Sequence, residues 1–301
     1  MSLRIGIDLG GSKIELIALD DSGRTLLRRR RPTPQGDYPG TVRAVGALVI
    51  DAERELAQRG SVGIGIPGAE SAVDGTIKNA NSTCLIGKLL RQDLQTLLRR
   101  EIRLANDANC FALSEAIDGA GQGADTVFGV IIGTGVGGGI VVQQHVLCGA
   151  NRIAGEWGHN PLPRPDEEEL PPGPCYCGRL GCIETWLSGP GLCADHQRHG
   201  GEWLTAEEIA RRAGAGEAAC AATLARYERR LAKALAQVIN LLDPEVIVLG
   251  GGLSNIGRLY HAVPRLWKRH VFSDVVHTRL LRNLHGDSSG VRGAAWLWNE
   301  W

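Results

Sequence analysis

The sequence has no excess of charge of either sign, because 33 lysines and arginines balance 33 aspartates and glutamates. The longest basic run is only Arg28 to Arg31. Proteins that bind nucleic acid concentrate positive charge in a patch or stripe, which this composition does not provide. We therefore expect no nucleic acid among the partners.

Long hydrophobic runs are also missing. No uninterrupted apolar stretch approaches the roughly 20 residues of a membrane-spanning helix, and the first residues lack the charged and then apolar pattern of a secretion signal. We expect a soluble cytoplasmic protein with no membrane partner. In such a reducing compartment, clustered cysteines indicate a metal site more often than a disulfide.

Eight cysteines are present, and three of them form a Cys-x-Cys-x4-Cys cluster with His159 upstream. One imidazole and three thiols are a complete tetrahedral ligand set for structural zinc, and glycines at 178 and 181 allow sharp turns around a small ion. The alternative is three unrelated buried thiols. The predicted zinc ligands are His159, Cys175, Cys177 and Cys182.

Acidic side chains flank this cluster, with Glu156 before it and Glu184 after it. A metal there could hold such hydrogen-bonding groups in place for a polar ligand. The intervening segment 161–174 is rich in proline and acidic residues and is predicted to be an exposed excursion within the metal loop.

Apolar periodicity predicts an α/β protein in which a strand, glycine turn, strand unit occurs twice, so that two similar halves are expected. The predicted strands are 3–9, 13–19, a third run that follows the turn at 20–23 and completes a β-meander, 61–66, 102–105, 126–132, 139–143 and 245–249. The predicted helices are 41–58, 89–100, 108–116, 217–242 and 290–298.

The glycine turns are candidate phosphate-binding segments. In the first, Asp8 ends a strand and Gly10, Gly11, Ser12 and Lys13 offer backbone amides, a hydroxyl and an ammonium group. A Walker A loop is rejected because serine precedes lysine and a strand follows. The formal G-x-G-x-x-G at 133–138 also leads into a strand, so it is not a dinucleotide-binding motif. Tight hairpins alone are the alternative, although a third glycine cluster follows a buried strand at 250–252.

Asp107 is the strongest catalytic candidate from the sequence. It lies where the strand ending in Asn106 gives way to a helix, and open α/β sheets present functional groups at the carboxyl ends of strands. The alternative is that Asp107 only caps the helix.

These motifs in this order resemble the ROK family of sugar kinases, in the actin/hexokinase/Hsp70 ATPase superfamily, over essentially the whole chain. Segments 79–83, 158–163 and 285–296 look most like the bacterial manno(fructo)kinases. The resemblance implies a two-lobed, ribonuclease H-like α/β fold with a zinc-stapled loop at 159–184. It also implies a small lobe at 1–118, completed by the C-terminal helix 289–301, a larger lobe at 119–288, and a homodimer.

The implied activity is transfer of the ATP γ-phosphoryl group to the 6-hydroxyl of a hexose, and fructose, with mannose as a second substrate, is the predicted sugar. On this resemblance Asp107 accepts the hydroxyl proton and Asp8 organises Mg²⁺, directly or through water. The implied sugar-binding residues are Gly68, Asn81, Asn106, Asp107, Glu156, His159 and Glu184. The implied nucleotide-binding residues are Asp8, Gly10, Gly11, Ser12, Lys13, Thr134, Gly135, Gly251 and Gly252.

Other activities remain open on the sequence. A kinase of N-acetylglucosamine or glucose on the same frame is the nearest alternative. A sugar-responsive transcriptional repressor of the same family would carry a helix-turn-helix before the first glycine turn, and only seven residues precede Asp8 here. A zinc-stabilised sugar-binding module would need neither Asp107 nor two phosphate turns.

Overall fold

The structure, a computed structural model, describes residues 2–80 and 82–299. These residues form two compact units. The described residues of unit 1 fall within Met1–Gly123, Gly139–Ala154 and Leu284–Trp301, and those of unit 2 within Ala124–Gly138 and Gly155–Asn283. The lobes expected from the sequence, 1–118 with 289–301 and 119–288, remain a prediction.

The secondary structure alternates strands and helices. The strands are β1 (Leu3–Leu9), β2 (Lys13–Leu19), β3 (Thr25–Pro32), β4 (Gly60–Ile66), β5 (Ala69–Glu70), β6 (Ile77–Lys78), β7 (Arg103–Asn106), β8 (Thr126–Ile132), β9 (Val136–Val142), β10 (His145–Val146), β11 (Val246–Gly250) and β12 (Arg279–Arg282). The helices are α1 (Tyr38–Leu56), α2 (Leu90–Leu98), α3 (Asp107–Ile117), α4 (Glu184–Leu187), α5 (Gly189–Arg198), α6 (Ala206–Gly214), α7 (Ala218–Leu242), α8 (Leu259–Trp267) and α9 (Ser289–Trp296).

Unit 1 is built on a five-stranded sheet with the order β3-β2-β1-β4-β7. Strands β1 to β3 are antiparallel, whereas β4 and β7 run parallel to β1. Apolar side chains of β1, β2 and β4, such as Ile5, Leu16 and Ile64, form one core with Val45 of α1 and Leu94 of α2. The carboxyl ends of β1, β4 and β7 therefore lie side by side.

Helix α9 contacts β1 and β4 at very short range. A Cβ atom on Gly6 would lie 2.1 Å from the Val291 carbonyl oxygen, and one on Gly63 would lie 1.9 Å from that of Ala294. Gly293 packs equally closely on α3, since a Cβ atom there would lie 1.6 Å from the Cys110 oxygen. Glycine is required at these positions because the backbones leave no room for a side chain.

The second sheet has the order β10-β9-β8-β11-β12, and in unit 2 its strands β8, β11 and β12 are parallel. Strand β9 begins at Val136, whereas the sequence predicted a strand from 139. The turn is shorter than the glycine run suggested, because the Gly133 amide already donates to the Gly135 carbonyl at 3.0 Å. Gly138 is then a strand residue, and a Cβ atom on it would lie 2.8 Å from the Trp157 ring.

Most residues of the acidic segment 161–174 are exposed, as the sequence predicted, but the segment is anchored at its middle. Glu169 is 2% exposed and accepts hydrogen bonds from Arg230 at 2.8 Å and from Lys233 at 2.8 Å, both on α7. Arg230 also bonds Asp195 of α5 at 2.7 Å. The basic face of α7 therefore fixes the middle of this segment, which sequence composition alone could not indicate.

Within the described residues, none of the helices combines the length and the apolar character that crossing a membrane requires.

Candidate functional sites in the two units

In unit 1, polar residues collect where the parallel strands end. Asp8 of β1 pairs with Gly65 of β4, and Ile66 of β4 pairs with Asn106 of β7. The Asn106 amide donates to the Gly68 carbonyl at 3.2 Å, which ties the end of β7 to the segment after β4. This edge is where an open α/β sheet binds its ligands.

The start of the helix that follows β7 shows which residue caps the helix, a role that the sequence left open as the alternative to catalysis for Asp107. Asn106 is the N-cap of α3, and its side-chain oxygen accepts from the Ala108 amide at 2.8 Å. Asp107 is the first helical residue and is exposed, with one carboxylate oxygen also 2.8 Å from that amide. Because Asn106 serves as the N-cap, capping does not account for a carboxylate at position 107.

Asp8 and Asp107 are electrostatically coupled. Burial, followed by the charges of Asp107 and Glu15, raises the pKa of Asp8 to about 6, while Lys13 and Arg30 act in the opposite direction. Burial and the same two aspartates also raise the pKa of the Cys110 thiol, which stays neutral. The largely buried carboxylate of Asp8, with the exposed carboxylate of Asp107 near enough to act on it, offers oxygen ligands of the kind that Mg²⁺ prefers, so Asp8 fits a Mg²⁺ site.

The turn between β1 and β2 is closed by backbone hydrogen bonds. The Gly10 amide donates to the Lys13 carbonyl at 3.0 Å, and the Thr33 hydroxyl donates to the Gly10 carbonyl at 2.7 Å. Gly11, Ser12 and Lys13 are exposed. A Cβ atom on Gly11 would lie 3.3 Å from the Ser82 hydroxyl, so the two positions are adjacent.

Ser82 is a residue whose significance the sequence did not reveal. Its hydroxyl is buried and has no hydrogen-bond partner among the described residues. A buried hydroxyl beside a glycine turn is a ready donor to a ligand oxygen. Asn81, which the family resemblance assigns to sugar binding, lies outside the described residues.

In unit 2, two glycine turns lie at the carboxyl ends of neighbouring parallel strands. Gly250 of β11 pairs with Ile131 of β8, so the turns at 133–135 and 251–252 are adjacent. Gly251 has a φ of +80°, and a Cβ atom on it would lie 2.4 Å from the Ile132 carbonyl oxygen. The structure thus brings the predicted nucleotide residues of this unit together, namely Thr134, Gly135, Gly251 and Gly252.

Glu184 is held against the first of these turns. Its carboxylate accepts from the Val136 amide at 2.8 Å, and a Cβ atom on Gly135 would lie 2.8 Å from the same oxygen. The Gly189 amide, beyond the short helix α4, donates to the Gly133 carbonyl at 2.7 Å. Because glycine at 135 has no side chain, the Glu184 carboxylate can lie against this turn.

The segment with Glu156 and His159 packs on the same turn. Glu156 precedes a short 3₁₀ helix, Trp157–His159, of which His159 is the last residue. The Trp157 indole donates to the Gly137 carbonyl at 3.0 Å. A Cβ atom on Gly158 would lie 2.2 Å from the Val136 carbonyl oxygen.

The predicted zinc ligands converge in unit 2. The ligand atoms of His159, Cys175, Cys177 and Cys182 all lie within 4.8 Å of one another. Cys177 and Cys182 have their sulfurs 3.6 Å apart, and the Cys175 sulfur is 3.7 Å from His159 Nδ1. Around zinc with Zn–S bonds of about 2.3 Å, tetrahedral sulfurs lie about 3.8 Å apart, so these donors fit the ion.

The loop has the backbone that the sequence predicted. Gly178 and Gly181 have φ values of 85° and 68°, in the left-handed region that favours glycine. The other ring nitrogen of His159, which the resemblance directs to the sugar, lies 3.0 Å from the Tyr176 hydroxyl. Tyr176 was not singled out from the sequence, although its place between two ligand cysteines is a signal that could have identified it.

Comparison with known proteins gives matches over nearly the whole chain. The sequence pattern of the ROK family matches residues 4–301. An N-acetyl-D-glucosamine kinase of Yersinia pseudotuberculosis serotype O:1b (strain IP 31758) is 41% identical over 296 residues, which cover 97% of this chain and 97% of that protein.

Solved structures agree. A ROK hexokinase from Thermus thermophilus has a TM-score of 0.86 and 31% identity, covering 98% of this chain and 97% of its own. A ROK family glucokinase from Streptomyces griseus, solved with glucose and AMPPNP, has a TM-score of 0.77 and 28% identity, covering 98% of both chains. The predicted fold class, an α/β fold of the actin/hexokinase type, is confirmed.

Proposed function

Because the chain belongs to the ROK family, we propose that it is an ATP-dependent sugar kinase that phosphorylates N-acetyl-D-glucosamine at its 6-hydroxyl. The observation that carries the chemistry is the position of Asp107 at the carboxyl edge of a parallel sheet, coupled to Asp8. The observation that favours this sugar is the 41% identity to an N-acetyl-D-glucosamine kinase over 97% of both chains.

The choice of sugar differs from the fructose, with mannose, that the sequence motifs favoured. Those motifs cover short segments, whereas the identity to the N-acetyl-D-glucosamine kinase extends over 296 residues. The similarity over the whole chain therefore favours N-acetyl-D-glucosamine, which the motifs had indicated only as an alternative substrate. Fructokinase activity is the competing outcome of the experiment below.

In unit 1 we assign proton transfer to Asp107 and cation binding to Asp8. Phosphoryl transfer needs an acceptor for the hydroxyl proton, and an exposed aspartate at a helix start can fill that role. Asn106, with both side-chain atoms hydrogen-bonded, fixes the backbone from which Asp107 projects and has a sugar-binding role together with Gly68. Mg²⁺, bound with the nucleotide, would neutralise charge on the phosphates.

The turn from Gly10 to Lys13 supplies donors to phosphate. Its exposed amides, the Ser12 hydroxyl and the Lys13 ammonium group can all reach a bound anion. Ser82 adds a buried hydroxyl beside Gly11.

In unit 2 we assign Glu156, His159 and Glu184 to sugar hydroxyls and Thr134, Gly135, Gly251 and Gly252 to the nucleotide. Zinc on the four ligand side chains would orient His159 and fix the chain that leads from Cys182 to Glu184. The Tyr176 hydroxyl, 3.0 Å from His159 Nε2, would occupy the position on that ring that a sugar hydroxyl takes when the sugar binds. The homodimer implied by the resemblance remains a prediction that a mass measurement in solution tests.

Steady-state kinetics with ATP and a panel of sugars test the proposal. ADP formation should be slow without sugar, and kcat/KM should be highest for N-acetyl-D-glucosamine among N-acetyl-D-glucosamine, fructose, mannose and glucose. A clear preference for fructose would restore the fructokinase interpretation. Absence of phosphate transfer to all four sugars would contradict the proposed kinase.

A further inference from the structure

A row of charged residues crosses three strands of the unit 1 sheet. Asp8 of β1 is paired with Glu15 of β2, and Glu15 is paired with Arg30 of β3. Directly paired residues of antiparallel strands project from the same face, and like charges at such positions repel. Asp8 and Glu15 are such a pair, and the side chain of Glu15 is only 2% exposed.

Glu15 binds two arginines of the exposed strand β3. One carboxylate oxygen accepts from Arg30 Nε at 2.7 Å, and the other accepts from Arg28 Nε. Both arginine side chains are about half exposed, at 49% and 41%. Glu15 is therefore the buried anchor of two guanidinium groups on the sheet face that also carries Asp8.

Stability does not explain this arrangement well. A buried ion pair costs desolvation that its attraction often fails to repay, and an apolar residue of similar size would serve the sheet at least as well. Arg30 is two strand spacings from Asp8, about 10 Å, which a long side chain can cross. Its charge already acts on Asp8, because Arg30 and Lys13 oppose the rise in the Asp8 pKa.

We propose that Glu15 is a positioning residue that holds Arg28 and Arg30 away from Asp8, so that the Asp8 carboxylate remains available to the magnesium-bound nucleotide. Without Glu15, Arg30 would pair with Asp8 and compete with the cation. This inference rests on the proposed kinase function, which assigns the cation to Asp8.

The same strand provides a matched control. Side chains alternate between the two faces of a strand, so Arg29 and Arg31 face away from Glu15. Arg29 pairs with Glu55 at 2.8 Å and Arg31 with Asp51 at 2.8 Å, both on α1. Arg31→Gln removes an arginine of similar exposure, 46%, from the opposite face.

The test compares Glu15→Gln, Arg30→Gln, the double variant and Arg31→Gln. For each protein, Mg²⁺ is titrated at fixed AMPPNP and binding is read by calorimetry, beside the thermal unfolding midpoint without Mg²⁺. Glu15→Gln should need about 5- to 10-fold more Mg²⁺ for half-maximal binding, as expected for one competing ion pair at a half-buried site. The double variant should return towards the wild-type requirement, and both single arginine variants should stay near it.

A merely structural Glu15 would give a different pattern. The double variant would then be no better than Glu15→Gln, because removing Arg30 cannot restore a lost anchor, and that result would overturn the proposal. A wild-type Mg²⁺ requirement in Glu15→Gln would do the same. If Glu15→Gln does not fold, Glu15→Asp keeps the charge on a shorter side chain and should give a smaller rise, whereas no rise contradicts the proposal.

The titration tests the role of Glu15 separately from the proposed kinase activity, because binding of AMPPNP involves no phosphoryl transfer. If the wild type phosphorylates sugar but the variants do not change the Mg²⁺ requirement as expected, only the role of Glu15 is contradicted. If the titration gives the expected pattern but the wild type phosphorylates none of the four sugars, only the kinase proposal is contradicted.

Discussion

In unit 1, Asp8 and Asp107 belong to the strand end and the helix start that present them, so ordinary sheet pairing and helix capping position both carboxylates. In unit 2, Glu184 reaches the turn after β8 from 48 residues beyond Val136, at the end of a loop whose four ligand side chains converge. Both units place carboxylates at glycine turns, but only the arrangement in unit 2 depends on side chains that come from distant positions in the sequence. We therefore expect the site in unit 1 to keep its structure when the metal is removed, and the site in unit 2 to lose it.

The largest expected effect tests the locally built carboxylate of unit 1. Asp107→Asn should lower kcat by about 10²- to 10⁴-fold, because the amide fills the same space but cannot accept a proton. Folding should be preserved, since Asn106 keeps the cap.

Its control is Glu207→Gln, which removes a charge from the first turn of α6 and should leave kcat unchanged. Retention of more than about a tenth of wild-type kcat in Asp107→Asn would show that Asp107 is not the general base.

Loss of the metal tests the loop of unit 2. Purified protein should contain one zinc per chain by elemental analysis, and Cys177→Ser should lose it, with a fall of about 100-fold in kcat/KM for the sugar. AMPPNP-dependent protection of β1 in hydrogen exchange should persist, because unit 1 builds its turn without the loop.

Cys193→Ser is the matched control, since Cys193 lies in α5 of the same unit and outside the ligand cluster. If Cys177→Ser lacks zinc but keeps its activity, the site in unit 2 does not depend on the metal, and the expected difference between the two units is wrong.

Glu184→Gln asks how much of the second site depends on charge. Its amide oxygen can still accept from the Val136 amide, so the turn should keep its shape. The KM for the sugar should rise about 10-fold, as expected for losing a hydrogen bond to a charged group, while zinc content stays the same. An unchanged KM with every sugar of the panel would exclude Glu184 from sugar binding.

The smallest effect is a pH dependence confined to unit 1. The hydrogen bond to Asp118 raises the pKa of His285. Although burial acts in the opposite direction, hydrogen bonds from His285 and Arg292 hold the pKa of Asp118 below its usual value. The stabilisation from His285 is complete below the unfolded-state pKa of about 6.5 and is lost as the pH rises through the raised folded-state value.

His285→Gln should therefore reduce thermal stability more at pH 5.5 than at pH 8.5. The same difference should remain after zinc chelation, because both partners lie in unit 1. Equal destabilisation at the two pH values would show that protonation of His285 does not contribute.

The sequence predicted most accurately the elements whose apolar pattern and flanking turns can be recognised within a short stretch of chain. Strands 3–9, 13–19 and 126–132 have the bounds that were predicted, because glycine or Asp-Gly turns limit them. Helices α4, α5, α6 and α8 and strands β5, β6, β10 and β12 were missed. Pro264 lies inside α8 and is a residue that normally interrupts a helix, and the short, polar stretch of α5 has only weak apolar periodicity.

The candidate site divides in the same way. The metal ligands were found because their spacing is itself the signal, and the structure brings all four together. Ser82 and Tyr176 were not found, because a partnerless hydroxyl and a hydrogen bond to a ligand histidine exist only after folding. The buried anchor Glu169 was hidden in an acidic segment whose composition resembles that of exposed chain.

The close approach of α9 to Gly6 and Gly63 has a consequence for biosynthesis. A ribosome makes β1 and β4 first, then all of unit 2, and only afterwards the helix that covers those strands. Until α9 emerges, β1 and β4 lack the helix that covers them, whereas unit 2 has already been synthesised in full. Unit 2 can thus fold during translation, and the nascent first sheet is the segment that a chaperone would need to protect from aggregation.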